Sequence, residues 1–115
     1  MEFSGPLKEN YLFRRIYRKG RSVVSPLLVL YWLPNGTHRN RIGLTVSGKL
    51  GGAVQRNRLR RRLREIYRLH EGQFAPGWDM VLVARTRAMD SSYQHLEDAY
   101  LSLARRAGLC QSEEG

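Results

Sequence analysis

Arg56-Asn57-Arg58-Leu59-Arg60-Arg61-Arg62-Leu63-Arg64-Glu65-Ile66-Tyr67-Arg68 decides how the rest of the chain is read, because it sets a dense cationic surface on a regular apolar stripe. Leu59, Leu63, Ile66 and Tyr67 recur at i, i+4, i+7 and i+8, which gathers them on one face of a helix. Seven arginines against Glu65 leave this segment at +6, more than half of the chain's formal +10. Arg56, Arg60 and Arg64 stack one turn apart with Arg61 and Arg68 beside them, and each like-charged pair costs roughly 0.2–0.5 kcal/mol. A solvated charge run normally carries balancing acids; this one does not, so a bound phosphate backbone is the better account of it. Asn57 lies within the run, and a base, a sugar or a buried backbone group would each suit its amide.

The elements on either side follow from periodicity. The helix begins near Ala53 or Val54, after Gly48, Gly51 and Gly52 loosen the chain, and fades between His70 and Gly72. Upstream, Ile42, Leu44 and Val46 alternate with Gly43, Thr45 and Ser47, the period-2 pattern of a strand with one buried face. Val23 to Leu33 reads as a long strand or two, interrupted early by Pro26 and closed by Pro34-Asn35-Gly36. Asn10 is a candidate cap for a first helix carrying Leu12, Phe13, Ile16 and Tyr17, with Gly20 as its stop. Downstream, Met80 to Ala84 is a short buried strand. Ser91 with Gln94 resembles a capping box for a last helix lined by Leu96, Tyr100, Leu103 and Ala107 and ended by Gly108.

Helix, strands, helix, strand, helix is the order of an α/β sandwich, a sheet with helices packed on it. A chain of 115 residues with no repeat and no long linker is one domain, residues 1–115, whose ends at 1–6 and 111–115 are expected to be flexible. Seventeen of twenty cations are arginine, whose planar fork binds phosphate through paired hydrogen bonds and stacks on bases, which favours RNA as the polyanion. No apolar run approaches the roughly 20 residues that span a bilayer, and no signal-peptide pattern opens the chain. The lone Cys110 provides neither a disulfide framework nor a cysteine metal site, which points to a reduced, cytoplasmic setting.

Catalytic signatures are missing. Gly43-Leu44-Thr45-Val46-Ser47-Gly48-Lys49 has the glycine and lysine spacing of a phosphate-binding loop, but Leu50 stands where a magnesium-holding hydroxyl is needed and the stretch alternates like a strand. His38, His70 and His95 are scattered, and the acids form no paired-carboxylate pattern that would position magnesium or activate water. Taken singly, Phe13, Tyr17 and Tyr31 each read better as core residues, yet aromatics beside an electrostatic groove are also how single strands are held. Tyr31 shares its strand parity with Leu27, Val29 and Leu33, opposite to Leu28, Leu30 and Trp32, so one of these sets must meet a helix or leave the core.

Ala53-Val54-Gln55-Arg56-Asn57-Arg58-Leu59-Arg60-Arg61 resembles the signature helix of the bacterial ribonuclease P protein subunit, and Arg41-Ile42-Gly43-Leu44-Thr45-Val46-Ser47 precedes it as in that family. Phe13-Arg14-Arg15-Ile16-Tyr17-Arg18-Lys19-Gly20 and Met80-Val81-Leu82-Val83-Ala84-Arg85 resemble further family segments, in the same order along nearly the whole chain. The resemblance implies a two-layer α/β sandwich related to domain 2 of ribosomal protein S5, of order α-β-β-β-α-β-α. Its β-α-β crossover is left-handed, against the usual right-handed rule.

The resemblance also implies two partners, a catalytic RNA subunit and precursor tRNA, from which the holoenzyme endonucleolytically removes the 5′ leader. Catalysis would belong to the RNA, which mainly holds the magnesium; the protein alone would be inactive, with no membrane and no obligate protein partner. Carried over by position, Phe13, Tyr17 and Tyr31 would line a leader cleft between the sheet and the first helix. Arg56, Asn57, Arg58, Arg60, Arg61, Arg64 and Arg68 would face RNA, with Arg14 and Lys49 as further phosphate contacts. Gly48 departs from a frequent family lysine, which puts one phosphate contact in doubt. A ribosomal or translation-associated RNA-binding protein of the same fold is the alternative, and a DNA-binding regulator is disfavoured because the arginine helix lacks a helix-turn-helix partner.

Overall fold

The computed structural model describes residues 4–7 and 9–109. Among these residues three α-helices and five strands follow one another: β1 (Ser4–Pro6), α1 (Asn10–Lys19), β2 (Arg21–Val24), β3 (Leu28–Pro34), β4 (Asn40–Thr45), α2 (Ala53–His70), β5 (Trp78–Ala84) and α3 (Tyr93–Ala107). The strands form one sheet in the order β1-β4-β5-β3-β2. Val23 to Leu33 resolves into two strands, an antiparallel hairpin running from Arg21↔Trp32 to Val24↔Val29. Its bend is held by Ser25, whose Oγ accepts from the Leu28 amide at 3.0 Å. β4 and β5 are parallel and adjacent, so the arginine helix is the crossover between them.

Strand parity sorts the side chains onto two unequal faces. Leu28, Leu30 and Trp32 of β3, with Ile42, Met80 and Leu82, meet the apolar stripe of α2 (Leu59, Leu63, Ile66, Tyr67) and that of α3 (Leu96, Tyr100, Leu103, Ala104) in the main core. Leu63 is fully buried there, and burial of such a side chain contributes ~1.5–3 kcal/mol. Phe74 seals the bottom, stacked on Tyr100 at 6.0 Å and edge-on to Tyr67 at 5.9 Å. On the opposite face α1 places Leu12 and Ile16 against Val81 and Leu7, a much smaller cluster that Phe13, Tyr31, Leu33 and Val83 border.

Three expectations are corrected. The amino-terminal segment contains a strand that the sequence pattern does not show: Ser4–Pro6 pairs in parallel with Asn40–Ile42, and the Leu7 amide donates to the Ile42 carbonyl at 2.9 Å. The exposed edge of β4 supplies the bonding groups, and Pro6 is tolerated because the strand lies at the sheet's margin. The element order therefore gains a strand before α1; residues 1–3 and 110–115, Cys110 included, lie outside the described residues. The α1 cap is Glu9, extended at φ −79° and ψ 130°, with no side-chain cap bond, and Asn10 is already helical. α3 is capped one residue later than expected, because Ser92 Oγ accepts from the His95 amide at 3.1 Å while Ser91 Oγ donates to the Arg87 carbonyl. Gly108 ends α3 in the left-handed conformation, φ 75°, as its position predicts.

Polar groups fix the end of the sheet where β4 and β5 begin. Arg41 donates from Nε and Nη2 to the two Asp79 oxygens at 2.7 Å each, and Asn35 adds a 3.0 Å bond to Asp79. The Asp79 hydrogen bonds, first, hold Arg41 above arginine's ordinary pKa. A buried carboxylate bonded by three donors has its desolvation compensated, which a lone one would not.

Candidate nucleic-acid interface

The aromatic residues of α1 line up along the less covered face of the sheet. Phe13 lies on Gly43: a Cβ at residue 43 would stand 2.5 Å from its ring. Glycine within β4 is thus the condition for that close approach. Tyr17, 41% exposed, stands edge-on to Tyr31 with centroids 4.9 Å apart and 6.4 Å from Phe13. Its hydroxyl is hydrogen-bonded with Thr45 Oγ1 at 3.0 Å, which fixes the ring across the cleft. The core and stacking readings both apply: Phe13 and Tyr31 are half-buried against the small apolar cluster, yet with Tyr17 they form a partly open row of rings.

A cleft of about 210 Å³ connects that row to the arginine helix, lined by Phe13, Gly43, Leu44, Arg60, Arg64 and Tyr67. It opens beside β4 just past Ile42, where β1 pairing stops. Tyr67 belongs to the main core and Phe13 to the opposite face, so the cleft wraps the edge of the sheet and puts two guanidinium-bearing residues beside an aromatic wall. Such a combination suits a strand with phosphates on one side and flat bases on the other.

The remaining arginines divide by geometry. Arg56 is half-buried and donates from Nε to the Gly51 carbonyl at 3.0 Å, tying the glycine turn to the helix. Asn57 accepts from Arg60 Nη1 at 2.9 Å, so its amide orients an arginine of the cleft. Arg58 and Arg61 are exposed. Arg58 lines a separate groove with Arg62, Ser91 and Asp90. Arg68 differs: its guanidinium holds Glu65 at 2.6 and 3.1 Å, which keeps the Glu65 carboxyl below its ordinary value. Glu65 is the one acid within the helix, and Arg68 holds it near the last turn. That exposed pair adds little net stability.

Arg14 is exposed on α1 and Lys49 on a 3-10 turn, Gly48–Leu50. The phosphate-loop spacing is coincidental in structure too, since Gly43 is a buried strand residue. A Cβ added at Gly48 would meet nothing within 4 Å, and the residue has no left-handed φ, so nothing in the backbone demands glycine there. Among the described residues no group of three or more His, Cys, Asp or Glu side chains converges. His38 and His95 are exposed, and His70 bonds Glu97 at 2.9 Å between α2 and α3. No described helix is long and apolar enough to cross a membrane.

Sequence reasoning missed two parts of this site. Gly43 carries a legible signal, a residue without a side chain on the non-core parity of an alternating strand. Thr45, the partner of Tyr17, shares that parity but gives no sign of a partner 28 residues away.

Comparison with known proteins places the chain in a family. The family model described as Ribonuclease P matches residues 1–108. The ribonuclease P protein component of Alkaliphilus metalliredigens is 42% identical over 95% of this chain and 98% of its own length. That of Natranaerobius thermophilus is 40% identical over 91% of each chain. The solved RNase P protein of Staphylococcus aureus superposes with a TM-score of 0.86 at 32% identity, covering 92% of this chain and 97% of the other. The Thermotoga maritima RNase P protein does so with a TM-score of 0.77 at 29% identity, over 87% and 93%. On its sequence and its fold together, the chain belongs to the ribonuclease P protein family.

Proposed function

We propose that this chain holds the 5′ leader of precursor tRNA along Phe13, Tyr17 and Tyr31, while its arginine helix grips the RNA subunit of ribonuclease P, which cuts the bond. The observation that carries the reading is a single cleft lined by Phe13, Gly43, Arg60 and Arg64 together. Single strands are held in this way, by base stacking beside an electrostatic groove. The protein's part is positional and electrostatic, because its acids are dispersed and its one buried aspartate is committed to Arg41. Cleavage, and the magnesium it uses, are assigned to the RNA. The setting of both RNA partners is the cytoplasm.

The test uses holoenzyme reconstituted with its cognate RNA. Phe13→Ala is expected to weaken precursor tRNA binding by about 1–3 kcal/mol, roughly five- to 150-fold, and to leave mature tRNA unaffected. Equal losses for the two substrates would remove Phe13 from the leader path.

A further inference from the structure

Both tryptophans of the chain, Trp32 and Trp78, line one cavity of about 380 Å³. It lies at the end of the sheet where Pro34 of β3 pairs with Trp78 of β5. Leu33 and Pro34 complete an apolar wall, Lys19 and Arg21 supply charge, and no carboxylate is among the lining residues. The volume falls in the range of about 300–1,000 Å³ typical of small-ligand sites.

The walls are built on regular structure. Trp32 is only 8% exposed and belongs to the main core. Trp78 is half-buried, with its backbone amide donating to Asn40 Oδ1 at 2.8 Å. Lys19 and Arg21 flank Gly20, whose Cβ, if present, would stand 2.6 Å from the Ile16 carbonyl oxygen and 2.8 Å from that of Trp32. That tight approach brings the backbone between the two cations against the end of β3. The nearby Asp79 is already matched by Arg41, so it does not oppose them.

This cavity is separate from the aromatic row on α1. Tyr31 of that row and Trp32 of the cavity are consecutive on β3 but sit on opposite faces, Tyr31 beside the small α1 cluster and Trp32 in the main core, and the cavity shares no lining residue with Phe13, Tyr17 and Tyr31. The half-buried Trp78 indole, with the edge of Trp32 beside it and two cations but no carboxylate among the lining residues, suits a planar ring that carries phosphate. We propose that the cavity is a second RNA contact, taking one unpaired nucleotide with its base against Trp32 and Trp78 and its phosphates on Lys19 and Arg21. The proposal rests on the RNA-binding reading for its choice of RNA.

The tryptophans report on their own site. In the full-length protein, a single-stranded adenosine pentaribonucleotide is expected to quench tryptophan fluorescence saturably. Joint Lys19→Ala and Arg21→Ala substitution, at two exposed positions, is expected to raise the midpoint about tenfold and lower the salt slope by roughly 1.4, two phosphate contacts on a single strand. The proposal is overturned by absent quenching or by an unmoved midpoint in the double variant. Quenching by adenosine 5′-monophosphate as tight as by the pentamer would also overturn it, in favour of a free nucleotide. Failure of the leader reading would appear elsewhere, as precursor tRNA binding indifferent to Phe13.

Discussion

The two faces of the sheet do different work. One is closed by α2 and α3 over a core in which Leu63, Ile66, Tyr67, Leu96, Tyr100 and Leu103 are fully buried. Among the described residues, the other is crossed by α1 alone, with Leu12, Ile16, Leu7 and Val81 as its buried cluster and partly open aromatic rings beside it. Stability concentrates where packing is complete, so the second face can keep flat apolar surface in reach of solvent and RNA. The arginine helix serves both, burying its stripe in the first face and setting Arg60 and Arg64 beside the second.

Perturbing each face separately tests that division. Leu63→Ala should cost about 2–5 kcal/mol of unfolding free energy, measured by denaturant melts, because it leaves a cavity in the closed face. A loss under about 1 kcal/mol would mean that the main core is not where the fold is held. Gly43→Ala sets a methyl against Phe13 at 2.5 Å and must displace the ring. About tenfold weaker precursor tRNA binding is expected, with mature tRNA unaffected; unchanged precursor binding by a less stable variant would show that the glycine serves packing only.

Much of this division is legible in the residues. The stripe from Leu59 to Tyr67 gives the helix and its buried side, and Ile42, Leu44 and Val46 give the strand before it. Strand parity separates Trp32 from Tyr31 without saying which side α1 covers, because the answer depends on a contact between Ile16 and Val81 far apart in sequence. The amino-terminal strand is illegible for a related reason. Ser4-Gly5-Pro6 has little strand propensity, and its pairing is imposed by the unfilled edge of β4. Residue types locate the arginines; the Arg68 to Glu65 bond and the Asn57 to Arg60 bond appear only in three dimensions, although their i,i+3 spacing permits them.

A smaller effect sharpens the electrostatic half of the comparison. Because residue 48 is open and unstrained, Gly48→Lys should fold normally and tighten RNA binding a few-fold, with a salt slope steeper by roughly 0.7–0.9. An unchanged slope would place this turn away from RNA.

The central claim is that Arg60 and Arg64 hold phosphates beside the Phe13 wall. Its most direct test is the salt dependence of precursor tRNA binding by holoenzyme carrying Arg60→Ala and Arg64→Ala together. The account predicts weaker binding with the slope of log K against log salt reduced by about 1.4–1.8, two phosphate contacts. The same affinity and slope as the unaltered protein would contradict it.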